Sequence, residues 1–143
     1  MSSHEDRAMA WSVIGLLVVA ALLNAAGWGW ELFKMPGPYD EITHAFKIFA
    51  ITLAFGVLAP GPRVTGLAGH PVLFILIIAA LGIALGALWE VTEWVADKIV
   101  AAQVVKGLDD TIIDLIMDSA GAVLAGLLSR WILRTKGRMR SAI

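Results

Sequence analysis

Apolar residues arrive in four long runs, separated by short stretches rich in proline, glycine and charge. The clearest run is Val72 to Trp89, 18 apolar residues closed by Glu90, close to the ~20 that a membrane-spanning helix requires. The first run extends from about Ala8 to Phe33, interrupted by Asn24, and its Trp28 and Trp30 read as an interfacial aromatic belt. Lys34-Met35-Pro36-Gly37-Pro38 predicts a tight turn, after which Tyr39-Asp40-Glu41 opens a helix that Pro60-Gly61-Pro62 ends near Ala59. Gly66, Gly69 and Pro71 close the next loop. The polar stretch from Asp97 to Asp110 encloses an amphipathic piece, Ile99 to Val105, expected to continue as helix along the interface until Gly107 stops it. The pattern predicts an all-α polytopic membrane protein, a four-helix transmembrane bundle. Its one domain would cover residues 1–143, with spans near 8–33, 40–59, 72–95 and 110–133.

Composition agrees: 59% of residues are hydrophobic and 16% charged, and the mean hydropathy of +0.80 is that of a protein whose solvent is lipid. Trp11 to Leu23 has the length of a signal-peptide core, with small residues after it. The leader Ser2-Ser3-His4-Glu5-Asp6-Arg7 is acidic where a signal peptide is basic, so the first run is read as a span. The absence of cysteine excludes disulfides, thiolate metal sites and a cysteine nucleophile. No phosphate loop, nucleophile elbow or nucleic-acid-binding pattern is present, and no nucleic-acid partner is expected.

Charge then sets the orientation. With four spans both termini share one side, which carries Arg7, Arg63, Arg130, Arg134, Lys136, Arg138 and Arg140, while the other holds Lys34, Lys98 and Lys106. The excess of basic residues predicts cytoplasmic termini in a bacterial or archaeal inner membrane. The acids divide the opposite way: of the 12, only Glu5 and Asp6 fall on the cytoplasmic side.

Some of these acids have ordinary roles. Asp40 and Asp110 begin helices, where a carboxylate accepts from free N–H groups, and Glu31, Glu41, Asp97 and Asp109 read as caps and loop charges. Span length argues otherwise for the rest. Between Asp118 and Arg130 lie 11 uncharged residues, about 16 Å of helix against a hydrocarbon core of ~30 Å. Asp114 and Asp118 must therefore enter the membrane. The second span has the same deficit, since Ala45 to Ala59 already contains Lys47, so His44 and Asp40 must lie below the headgroups. An ionisable group there costs ~3 kcal/mol or more unless paired or hydrated, and so should face the bundle interior. Asp40, His44 and Lys47 share one helical stripe, Glu90 and Glu93 a second, and Asp110, Asp114 and Asp118 a third. Gly82 and Gly86 extend the second stripe, and Gly121, Ala125 and Ser129 the third, in the small-residue pattern that lets membrane helices approach closely.

Several carboxylates beside one imidazole cannot all stay ionised without a counter-charge, and a bound cation is the simplest relief. Asp40, His44, Glu90, Glu93, Asp114 and Asp118 are thus candidate ligands for a divalent metal: Zn, Mn, Mg, Ca or Fe. Such a metal could activate water against a lipid or envelope substrate, with Glu93 and Lys47 as candidate catalytic groups, so a metal-dependent membrane hydrolase is one expectation. Lys47, a turn deeper than His44, could instead pair with Asp118. Buried Asp, Glu and His also serve as relays, which keeps a proton- or cation-coupled transporter as an alternative, although the cytoplasmic half lacks an ionisable continuation. A third reading is a structural or assembly subunit of a larger membrane complex, or a homo-oligomer, with the acids as internal glue.

Three motifs in order, Asp40-x3-His44, Leu88-Trp89-Glu90-Val91-Thr92-Glu93-Trp94, and Asp110-x3-Asp114-x3-Asp118 followed by Gly121, resemble the YjdF-like family of small bacterial inner-membrane proteins of unknown function. The resemblance covers about residues 39 to 128. The chain is more loosely similar to the VanZ-like family linked to glycopeptide resistance. Glu93 stands where a Gln is usual there, and Asp118 where an Asn is usual. The resemblance implies the same topology and site residues, and brings no established reaction.

Overall fold

The computed structural model describes the backbone of residues 2–58, 67, 70–100 and 104–141, and the side chains of all of these except 2, 3, 5 and 136–141. They form four helices and no strand: α1 (Ser2–Gly29), α2 (Tyr39–Leu58), α3 (Pro71–Val100) and α4 (Leu108–Ser141), with a 3₁₀ turn at Leu32–Lys34. Each helix contains a stretch long and apolar enough to cross a membrane. The turn expected at Pro60-Gly61-Pro62, Arg63, Gly66 and Gly69 lie outside the described residues, as do the side chains of Glu5, Lys136, Arg138 and Arg140.

The outer surface of the bundle is apolar, and its interior combines an apolar core around Leu53, Val57 and Ala125 with a set of buried polar groups. Large side chains such as Leu22, Val72, Leu76, Leu88, Ile116 and Leu124 face outward, whereas Thr43, His44, Lys47, Thr52, Glu90, Asp114, Asp118 and Ser129 are buried. In lipid this distribution is favourable, because outward apolar surface loses nothing while every polar group seeks a partner within the protein. Helix α2 lies at the centre and packs on α1, α3 and α4. Half of its apolar window is buried, against 11% for α1, which is the peripheral helix.

Close approach depends on small residues. A Cβ at Gly121 would strike the Ala45 backbone carbonyl, one at Gly82 would meet Thr52 and Ala122, and one at Gly86 would overlap the Asp118 side chain. The two glycines that continue the Glu90 stripe thus bring α3 against α2 and α4 at the depth of the buried acids.

Three boundaries differ from the sequence expectation. Helix α1 ends at Gly29 rather than continuing to Phe33, because Glu31 adopts the left-handed conformation (φ 56°) and turns the chain. Phe33 then folds back onto Gly27, where any Cβ would collide with its ring, and stacks edge-on with Trp28 at 5.6 Å and Tyr39 at 5.5 Å. Tyr39 Oη completes the corner by donating to the Leu23 carbonyl at 2.6 Å. Helix α3 runs past residue 95 to Val100, and the helical piece expected through Val105 is not formed at Val104 and Val105. Their N–H groups donate instead to the two Asp97 carboxylate oxygens, at 2.7 and 2.9 Å. Residues 101–103 of that piece lie outside the described residues. Helix α4 begins directly after Gly107, at φ 140°, and extends beyond Leu133 to Ser141.

If backbone proximity sets the packing of α4 on α2, Gly121→Ala should destabilise the purified protein by about 1–3 kcal/mol, seen as a lower thermal unfolding midpoint in detergent. Gly15→Ala, which meets nothing within 4 Å, should leave the midpoint unchanged or raise it.

Candidate metal centre at the polar end of the bundle

His44 stands one turn inside α2 and is 2% exposed. A turn earlier on the same helix, Asp40 places Oδ1 3.7 Å from Nε2. Helix α3 contributes two carboxylates a turn apart: Glu90 Oε1 lies 3.6 Å from Nδ1, and Glu93 Oε1 4.0 Å from Nε2. From α4, Asp118 Oδ1 comes within 3.3 Å of Nδ1. Asp114 joins Asp40 and His44 in a group whose ligand atoms lie within 4.8 Å of one another, and His44, Glu90 and Glu93 form a second such group. The three stripes read from the sequence therefore converge on one imidazole.

Hydrogen bonding leaves this cluster incompletely satisfied. Among the described residues, His44 Nδ1, Glu90 Oε1 and both Asp118 oxygens are buried without a hydrogen-bond partner. Glu93 is better held, since Trp89 Nε1 donates to its Oε1 at 2.7 Å. The same indole carries Lys47, whose Nζ lies 3.7 Å from the ring centroid, a cation–π contact strengthened by desolvation. Trp89 thus fixes one acid and one base of the interior at once.

The cluster opens into a cavity of about 220 Å³ whose floor includes Asp40, His44 and Glu93. Asn24 and Trp28 of α1, Lys34 of the turn, and Val104 and Lys106 of the α3–α4 loop line it above. Lys106 hydrogen-bonds Asp40 across the mouth, and its Nζ is 3.5 Å from Asp110 Oδ1. Partial burial pulls the Lys106 ammonium down, but the bond to Asp40 and the charges of Asp40 and Asp110 outweigh it and hold its pKa above the usual 10.5. On the outer rim the hydrogen bond and charge of Lys34 lower the pKa of Glu31 below its usual 4.5, the two pairing at 2.9 Å.

Each acid has a definite place. Asp110, read as a helix cap, sits in the first turn of α4 and accepts from the Lys106 backbone N–H at 3.3 Å. Asp109 is exposed, Asp97 clasps the loop, and Glu41 keeps one buried oxygen without a partner. Sequence reading passed over Lys106 and Asn24. Lys106 lies four residues before Asp110 and is one of few bases at the acidic end, and Asn24 is the one amide side chain in the first run. Those were the available signals.

These features define a four-helix integral membrane protein with a histidine–carboxylate cluster at one end of the bundle. The chain belongs to the family described as Predicted membrane protein (DUF2238), which matches residues 3–135 and so includes every residue of the cluster. This agrees with the resemblance of the three motifs to a small membrane-protein family of unknown function. An uncharacterized protein of Thermotoga maritima is 38% identical over 85 residues, a match covering 58% of this chain and 43% of the Thermotoga protein. No solved structure matches.

Asp97→Ala would remove two charge-assisted acceptors, each worth about 1.5–3 kcal/mol. Amide exchange at Val104 and Val105, followed by mass spectrometry in detergent, should accelerate at least tenfold, with α1 and α2 unaffected. Unchanged exchange there would show that the clasp does not hold the loop.

Proposed function

We propose that the cluster binds one divalent cation at the extracytoplasmic end of a single four-span domain, and that this cation serves hydrolysis of an ester in the headgroup layer. The observation that carries the reading is the imidazole of His44, buried among carboxylates from three helices, whose Nδ1 lies 3.3 Å from Asp118 Oδ1 yet makes no hydrogen bond among the described residues, nor does either Asp118 oxygen. A ligand set of oxygens and one nitrogen suits Mn²⁺, Zn²⁺, Mg²⁺, Ca²⁺ or Fe²⁺.

Within this reading Asp40, Glu93, Glu90 and Asp114 are the ligand carboxylates. Asp118, whose Oδ1 lies 3.3 Å from Nδ1, is the positioning residue: with a cation on Nε2 a small ring rotation would let it accept from Nδ1–H and hold the ring in that orientation. A bound divalent cation would polarise the scissile group and acidify water. Glu93, which lines the cavity, would take the proton from the attacking water and return it to the ester oxygen as that oxygen leaves carbon or phosphorus. Lys47 lies beneath the cluster on Trp89 and off the cavity lining, so its role is that of a fixed counter-charge. A relay is less supported, because beyond Lys47, one turn below His44, α2, α3 and α4 carry no ionisable residue before Arg130, and Thr52 and Ser129 are buried polar groups at that depth.

Elemental analysis of detergent-purified protein should find about one divalent metal per chain. Asp114→Asn and His44→Gln should reduce this strongly, and Asp118→Asn should weaken affinity about 10–100-fold. Wild-type protein with neither stoichiometric metal nor saturable Mn²⁺ or Zn²⁺ binding would sink the proposal. The proposed orientation has a separate check: a C-terminal alkaline phosphatase fusion, active only in the periplasm, should be silent in bacterial cells.

A further inference from the structure

The cavity above His44 is larger than a cation needs. Its volume is about 220 Å³, several times the ~30 Å³ that one water occupies in the liquid, so an ion seated on the floor leaves most of it open. The floor is acidic, and above it the lining holds two ammonium groups from separate chain segments, Lys106 and Lys34, the latter paired with Glu31 of the same wall at 2.9 Å. Asn24 brings an amide from an otherwise apolar helix. Trp28, which is half exposed, and Phe33 set the cavity at the level of the aromatic belt, where headgroup phosphates lie.

Lys106 links the floor to the rim. Its ammonium now bonds Asp40, a proposed metal ligand, from a loop position where its side chain is 41% exposed. A cation on Asp40 takes over the charge that Lys106 neutralises and repels the ammonium at close range. Lys106 then has free donors at the cavity mouth and the reach to use them. A divalent cation below, the released Lys106 ammonium above and the remaining donors of Lys34 and Asn24 beside it make the complement of a compact group with several acceptor oxygens.

We propose that the cavity binds a phosphate group against the cation on its floor, with Lys106 exchanging Asp40 for the phosphate oxygens. The proposal rests on the metal-site reading above and names the substrate class for it: a phosphoester, lipid-borne or free. Two consequences follow from linkage. Phosphate tightens metal binding, and Lys106 opposes the metal when phosphate is absent but favours it when phosphate is present.

The test measures the Mn²⁺ dissociation constant of the full chain in detergent by electron paramagnetic resonance. Mn²⁺ is titrated alone, then with inorganic phosphate, with a short-chain phosphatidic acid, and with the matching diacylglycerol. Phosphatidic acid should tighten Mn²⁺ binding at least tenfold while diacylglycerol does not; an equal effect of inorganic phosphate would assign the site to free phosphate. Lys106→Ala should bind Mn²⁺ alone more tightly than wild type, yet lose at least tenfold of the phosphate enhancement, and Lys106→Arg should keep the enhancement. If Mn²⁺ binds and neither phosphate source tightens it, the phosphate site is overturned and the metal site stands. If Lys106→Ala keeps the full enhancement, the exchange is overturned. Failure of Mn²⁺ and other divalent ions to bind at all removes the metal reading and this proposal together.

Discussion

The arrangement of this bundle depends on the cost of holding ionisable groups at membrane depth. A charged side chain there is tolerated when it faces the interior and finds a partner, and His44 with its neighbours sets that requirement on three helices at once. Helix α2 is central because it carries the imidazole and must turn both Asp40 and Lys47 inward on one stripe. The glycines follow from the same demand. Asp118 can reach His44 from α4 only because Gly86 offers no side chain at the crossing, and α4 can approach α2 that closely only because Gly121 lies against the Ala45 carbonyl.

A second level of structure fixes the mouth of the site. The Trp28–Phe33–Tyr39 cluster pins the corner between α1 and α2, and the Asp97 clasp folds the α3–α4 loop back so that Lys106 meets Asp40. Both devices are built from groups that belong at an interface, aromatic rings with one polar edge and charges that still touch water. The peripheral helix α1 serves mainly here: it buries little surface lower down, but supplies Asn24 and Trp28 to the cavity wall.

The spans were legible because membrane thickness imposes length. Val72 to Trp89 announces itself, and the 11-residue interval between Asp118 and Arg130 was enough to place two aspartates below the headgroups. The shared face was legible because helical spacing puts Asp40, His44 and Lys47 on one side. The loops were not. Asp97 satisfies Val104 and Val105 through a chain reversal that no local periodicity encodes, and the early end of α1 depends on a left-handed Glu31 that only the return of Phe33 onto Gly27 explains. The contact of Lys47 was equally hidden: a catalytic group and a partner for Asp118 were both open, and the ammonium lies over Trp89, which is on another helix. Contacts between helices depend on rotation and offset, and single-helix stripes fix neither.

The interior polar groups divide by what their isolation costs, and the division bears on whether the cluster is merely structural. Thr52 and Ser129 are buried with hydroxyls that lack hydrogen-bond partners, yet each is neutral and packs against a glycine, Gly82 and Gly56 respectively, so the cost is about 1–3 kcal/mol apiece. The two oxygens of Asp118 are in the same condition, and a carboxylate costs far more to strand than a hydroxyl. A network kept only for packing gains by closing its bonds, since a half-satisfied one is worse than an apolar core. Lys106 and Lys47 do not close it: the first serves Asp40 and Asp110, and the second lies on an indole. Four of the unsatisfied atoms, on His44, Glu90 and Asp118, surround the imidazole, and His44 itself lines the cavity. It is on that placement that the proposed binding site rests.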